Sequence, residues 1–181
     1  MSQRRFRLKL DKAYRKRWMQ HVQELSPDIN PETIRLMDKL RMVSHALYQK
    51  MEQSLDESGV SFARYRVLML LHHAELDGKE GLNPSEISEY QGTSRNTISA
   101  LIRDLEAEAL VERHLDKNDR RKFKICLTGD GRDFTKEHAH RHLKIADRCF
   151  KSLSPDEQST LESLLEKVGQ GILEQDRLET V

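Results

Sequence analysis

Between Ser94 and Arg103 the chain reads SRNTISALIR, a stretch carrying two guanidiniums, a carboxamide and three hydroxyls. These are the side chains that read duplex DNA. Arg donates to guanine O6 and N7, Asn pairs bidentately with adenine, and Ala meets a thymine methyl, while Ser and Thr serve bases or phosphates. Further on, Asp116-Lys117-Asn118-Asp119 is turn chemistry and Arg120-Arg121 sits at its tip. A guanidinium projecting there can enter a narrow minor groove. A third cluster is Glu137-His138-Ala139-His140-Arg141-His142, in which His138 and His142 are four residues apart. On a helix that spacing presents two imidazoles to one zinc ion, although the same pattern also makes an ordinary solvated face.

Catalytic readings fail on spacing. There is no Walker-type loop, no Gly-x-Ser-x-Gly and no HExxH, and the acidic residues scatter. Gly129-Asp130-Gly131 reads as a turn leading into a helix rather than a phosphate cradle. No enzyme and no cofactor is expected.

The elements that must position the first cluster are legible around it. Asn83 before Pro84, with Glu86 three residues on, predicts an N-cap, proline at the first helical position and a capping box. That helix ends near Tyr90, where Gln91-Gly92 supplies a residue able to take positive φ in a tight turn. Ser94 caps the next helix, whose Ile98, Leu101, Ile102, Leu105 and Ala109 make one buried stripe. At 100° per residue Asn96, Ser99, Ala100 and Arg103 fall on the opposite face, with Arg95 on the flank of the first turn. Val111, Arg113 and Leu115 then alternate with Glu112 and His114, and Phe123, Ile125 and Leu127 with Lys122, Lys124 and Cys126. These are two strands of period two, so Leu82 to Arg132 reads as a winged helix-turn-helix.

That segment resembles the DNA-binding lobe of the MarR (multiple antibiotic resistance regulator) family. The resemblance is carried by Leu82, Ser85-Glu86-Ile87, Gly92, Ser94, Thr97-Ile98-Ser99, Leu105-Glu106, Leu110-Val111-Glu112-Arg113, Asp119-Arg120-Arg121, Leu127-Thr128 and Gly131-Arg132. Thr93, Tyr90 and Ala109 depart from it, standing where Val, Leu and Gly are usual. The resemblance implies that Asp119, Arg120 and Arg121 mark the wing. With them, Ser94, Arg95, Asn96, Thr97, Ser99 and Arg103 are the expected DNA contacts. It also implies a homodimer in which the first long helix and the last two interleave, and a pseudo-palindromic operator.

The chain in order fits that plan. Charged residues reach 34 % against about 25 % in typical proteins, and only 8 Gly and 4 Pro interrupt 181 residues, which favours long solvated helices. Net charge is +1, yet residues 1 to 20 hold eight Lys or Arg against one acid, Asp11. In this arm, residues 1–29, Phe6, Leu10, Tyr14, Trp18, Val22 and Leu25 form an apolar ladder with the cations on the other faces. It is read as a basic amphipathic helix docked on the dimer and adding phosphate contacts; a membrane-surface helix and a disordered tail are the competing readings. Residues 30–57 are read as a dimerisation helix capped by Asn30-Pro31, with Ile34, Met37, Leu40, Leu47, Met51 and Leu55 inward. Residues 58–132 form the winged lobe, its first helix carrying Phe62, Tyr65, Leu68, Met69 and Leu71. Residues 133–181 supply two further dimerisation helices, the last opened by a Ser154 to Glu157 capping box and striped by Leu161, Leu164, Leu165, Val168, Ile172 and Leu173. The fold class expected is mainly α with a two- to three-stranded wing. No apolar run reaches the roughly 20 residues of a membrane span, and no signal peptide core is present, so the expected location is cytoplasmic. Cys126 and Cys149 read as ordinary reduced thiols, with thiol switching at Cys126, favoured by Lys124, as the other reading.

Three functions share this architecture: a regulator responding to a small molecule, a metal-responsive regulator, and a constitutive architectural binder. In the zinc-responsive branch of the resembled family the ligands fall on Glu137, His138 and His142. That branch also draws a His from the position of Arg66, whose charge repels a dication. The peroxide-sensing branch needs a Cys that residues 30 to 57 lack. The urate-responsive branch has an N-terminal helix with a Trp, as at Trp18, but its Asp and Arg positions fall on Arg66 and Leu101. The commonest theme of the family implies a repressor released by a small anionic aromatic ligand, with Arg66 as carboxylate partner and His45, Phe62 and Tyr65 as walls.

Overall fold

A computed structural model describes residues 12–55, 57–116 and 122–179. Its elements are α1 (Lys12–Leu25), α2 (Pro31–Gln53), α3 (Phe62–Leu76), α4 (Pro84–Gln91), α5 (Arg95–Ala107), β1 (Val111–Leu115), β2 (Phe123–Leu127), α6 (Gly129–Phe150) and α7 (Pro155–Glu179). They fall into two units, residues 1–139 and 140–181. The mainly helical architecture with a small antiparallel sheet is the one the sequence predicts.

Helix starts follow from local chemistry. Asn30 accepts from the Glu32 amide at 3.0 Å and Ser61 from the Arg64 amide at 3.4 Å. Ser154 and Glu157 bond reciprocally, at 2.8 and 3.3 Å. Each cap satisfies an amide that the helix itself leaves without a partner. α2 ends at Gln53, four residues before the expected Glu57, where the Ser54 and Leu55 amides tighten onto the Met51 and Glu52 carbonyls three residues back, at 3.1 and 2.9 Å.

In the first unit the core is built around α3, whose Tyr65, Val67, Leu68 and Leu71 are buried against Ile87 of α4, Ile98, Ile102 and Leu105 of α5, and Ile125 and Leu127 of β2. Burying each such side chain stabilises the lobe by about 1.5–3 kcal/mol. Strand β1 pairs with β2 in the register Val111↔Leu127, Arg113↔Ile125 and Leu115↔Phe123. Leu82 adds a short third bridge to Ile125. The alternation expected for β2 breaks at Cys126, which is buried like its neighbours Ile125 and Leu127. The cause is the loop before α4: a Cβ on Gly81 would lie 2.6 Å from the Ile125 carbonyl oxygen, so this backbone approach covers the strand's second face.

Two further expectations are corrected. Ala109 does not extend the α5 stripe; it lies beyond the Glu108 cap with φ +56. Gly129 to Gly131 form the first turn of α6 itself. On α2, Met37 and Leu40 are exposed, and only Met51 of the helix is buried, with Leu55 just after it. The α7 stripe is exposed along its length from Leu161 to Leu173. In α1, Val22 is half-buried while Trp18 and Leu25 are exposed; Phe6 and Leu10 lie outside the described residues. Among the described residues no helix is long and apolar enough to cross a membrane.

Candidate DNA interface

The helix-turn-helix is set by side chains acting on backbone. Asn83 Oδ1 accepts from the amides of Ser85 and Glu86, both at 3.0 Å, while Glu86 Oε2 accepts from the Asn83 amide at 2.7 Å. α4 closes on Gly92 in the left-handed region, φ +60, where a residue without Cβ carries no steric cost. Ser88 donates to the Thr93 carbonyl at 2.5 Å, and Gln91 Nε2 donates to the Arg66 carbonyl at 3.0 Å, which ties the turn to α3. Ser94 then caps α5 by accepting from the Thr97 amide at 3.2 Å.

On α5 the division of faces is complete. Ile98, Ile102 and Leu105 are buried, whereas Arg95, Asn96, Thr97, Ser99, Ala100 and Arg103 are exposed. The structure brings the expected reading residues of α5 onto one outward surface, which begins at the helix N-terminus, where free amides favour phosphate oxygen. Some of their hydroxyls have local duties. Ser94 Oγ and Thr97 Oγ1 lie 2.9 Å apart within the cap, and Ser99 donates to the Arg95 carbonyl at 2.9 Å, leaving its lone pairs to accept. Asp119, Arg120 and Arg121 lie outside the described residues.

Three ion pairs join elements of the lobe, and no periodicity or local spacing in the sequence pointed to them. Both oxygens of Glu106 accept from Arg113 of β1, at 2.8 Å each. Glu108, just past α5, pairs with Arg64 of α3, whose guanidinium also donates to the Gly59 carbonyl at 2.6 Å. Glu75 of α3 takes a bidentate bond from Arg132 of α6, at 3.0 and 2.7 Å, and raises the Arg132 pKa.

The expected effector residues differ in burial. Phe62 packs edge-on against Tyr48 of α2, ring centroids 5.1 Å apart, and its amide donates to Glu52 at 2.8 Å. Tyr65 has no exposed surface and burial pushes its phenol up to about 12, so it is a core residue and walls no ligand in a single chain. Arg66 and His45 are exposed. Among the metal candidates, Glu137 is exposed, and the His138 ring stacks on Phe134 at 4.2 Å with Nδ1 2.9 Å from the Phe134 carbonyl. His142 is buried, which lowers its pKa. Among the described residues no group of three or more His, Cys, Asp or Glu is placed to hold a metal ion. The Cys126 thiol is raised by burial first and by Glu112 and Glu75 next, which outweigh Lys124 and Arg132. It also donates to the Glu80 carbonyl at 3.0 Å, so the expected thiolate-favouring effect of Lys124 does not prevail.

Comparison with known proteins agrees with this geometry. Residues 58–122 match the model of the MarR family. The HTH-type transcriptional repressor YetL of Bacillus subtilis is 24 % identical over 142 residues, 78 % of this chain and 83 % of that one. The S. aureus MepR–DNA complex superposes with a TM-score of 0.68 at 25 % identity, covering 75 % of this chain and 95 % of MepR. BpsR of Bordetella bronchiseptica, solved in work on regulation of its DNA binding by 6-hydroxynicotinic acid, superposes with a TM-score of 0.64 at 25 % identity, covering 72 % and 89 %.

Proposed function

We propose that the chain, whose residues 58–122 match the model of the MarR family, is a DNA-binding transcriptional regulator of that family and not an enzyme, and that it acts as a homodimeric repressor released by a small anionic aromatic molecule. The observation that carries the DNA reading is the outward face of α5, where Arg95, Asn96, Ser99, Ala100 and Arg103 are exposed opposite a fully buried stripe. Dimerisation is supported by the apolar side chains that one chain leaves in water: Leu36, Met37 and Leu40 on α2 and Leu164, Val168, Ile172 and Leu173 on α7. Monomeric proteins rarely expose such contiguous patches. Two copies carry two reading helices to half-sites about one helical turn, roughly 34 Å, apart.

Repression follows the naming of YetL as a repressor. The effector class is supported by Arg66, exposed on α3, since a guanidinium offers a carboxylate a planar fork of donors and repels a dication. The 6-hydroxynicotinic acid named for BpsR is an aromatic acid of that kind. To switch occupancy the ligand must bind the released form more tightly than the DNA-competent one.

Footprinting on duplexes selected from a randomised pool, with sedimentation of the free protein, tests the core of the reading. Arg95→Ala or Asn96→Ala is expected to cost about 1–3 kcal/mol and to relax preference at particular bases. A monomer without sequence preference would refute it. Titrating the complex with aromatic carboxylates and with zinc tests the effector: release by an acid, lost in Arg66→Ala, supports the assignment. Zinc dependence lost in His138→Ala would overturn it.

A further inference from the structure

We infer that Glu106 and Arg113 are positioning residues for DNA reading: their bidentate pair locks the wing to the recognition helix and so sets where the wing lands on the duplex. The inference rests on the DNA-reading assignment above. Glu106 lies three residues after Arg103 and seven after Ser99, so it continues the reading face of α5 at its C-terminal end. A bare carboxylate there would face phosphates and repel them. Instead both of its oxygens are taken by the Nε and Nη2 of Arg113, at 2.8 Å each. The fork geometry fixes orientation as well as distance.

Arg113 sits at the centre of β1, paired across the ladder with Ile125 of β2, and in sequence Arg120 and Arg121 fall between the two strands. The covalent link between α5 and β1 is only Glu108 to Leu110, with Ala109 at φ +56. Its backbone is held at the near end, where the Leu110 amide donates to the Leu105 carbonyl at 2.9 Å. That bond acts at the pivot. The Glu106–Arg113 pair acts further along the strand, where it resists swinging of the hairpin about that pivot. A helix in the major groove and a wing in the flanking minor groove must both be seated, so the angle between them is a determinant of specific affinity.

The alternative role for Arg113, a direct phosphate contact that Glu106 merely competes for, predicts the opposite sign for one variant. The test measures binding of wild type, Glu106→Gln, Arg113→Gln and the double variant to a duplex that the wild type selects from a randomised pool. Hydroxyl-radical footprints and thermal unfolding are recorded on each. Positioning predicts that both single variants bind roughly fivefold more weakly. The double variant should be no weaker than either, with minor-groove protection beside the site lost and major-groove protection and melting temperature retained. Tighter binding by Glu106→Gln, or additive losses with an unchanged footprint, would overturn the inference and leave the regulator reading intact. Failure of the wild type to enrich any duplex would overturn both.

Discussion

Gly131→Ala tests how the wing is joined to α6. A Cβ at Gly131 would lie 2.0 Å from the Leu110 carbonyl oxygen and 3.0 Å from its carbon. Carbon–oxygen contacts settle at about 3.3–3.6 Å, so the first turn of α6 must retreat by more than an ångström from a backbone atom that has no rotamer to give. Two bonds hold that turn in place: the Thr128 amide to the Leu110 carbonyl at 3.2 Å, and Thr128 Oγ1 to the Ala109 carbonyl at 2.7 Å. Losing them costs about 1 kcal/mol each, and overpacking adds about 1–3 kcal/mol. Helix propensity returns up to about 1 kcal/mol for replacing glycine by alanine, which leaves a net loss of about 2–4 kcal/mol. Gly129, two residues earlier in the same helix, has nothing within 4 Å of its added Cβ, so Gly129→Ala is expected to be neutral or stabilising by less than about 1 kcal/mol. Urea unfolding at matched protein concentration measures both, because association contributes to apparent stability. A Gly131→Ala variant within about 0.5 kcal/mol of wild type would refute the close-approach argument.

Other consequences are equally direct. Ala109→Gly relieves a left-handed alanine at φ +56 but loosens the unfolded chain, so unfolding free energy should rise by about 0.5 kcal/mol, read by the same denaturation. Cys126, buried with a raised pKa, should resist iodoacetamide at neutral pH until urea exposes it; rapid alkylation in the native protein would contradict its packing. His142 has a folded pKa below its unfolded value, so its burial is fully tolerated above about pH 6.5 and stability is lost as pH falls from there through the folded pKa. His142→Gln should flatten that part of the stability profile, and an unchanged profile would exclude the histidine as its source. Deleting residues 1–25 should reduce the magnitude of the salt dependence of DNA binding by about 0.9 for each phosphate that the arm had neutralised, without altering base preference. A collapsed dimer with an unchanged slope would assign the arm to assembly.

What the sequence by itself determined lies within a few residues of each signal. Asn83, Ser94 and Ser154 cap helices because a side-chain oxygen reaches an amide two or three positions on, and Gly92 ends α4 because only the backbone at that point must turn left-handed. The outward set of Arg95, Asn96, Ser99 and Arg103 was legible for the same reason, since helical period alone places them opposite Ile98, Ile102 and Leu105. Tertiary structure decided whatever depends on partners distant along the chain. Cys126 is buried on the face that alternation assigns to solvent because the Glu80–Gly81 loop crosses it, 46 residues away in sequence at the thiol bond. Arg132 finds Glu75 across 57 residues and Arg64 finds Glu108 across 44, so no window of local pattern contains either pair. Tyr65, expected as a pocket wall, became core because α4, α5 and β2 close around α3 together, a fact that the period of α3, apolar on most of its sides, does not encode. Local hydrogen bonding and periodicity specify the elements and the reading face, whereas contacts between elements specify their mutual angles, through the ion pairs that join α5, β1, α3 and α6.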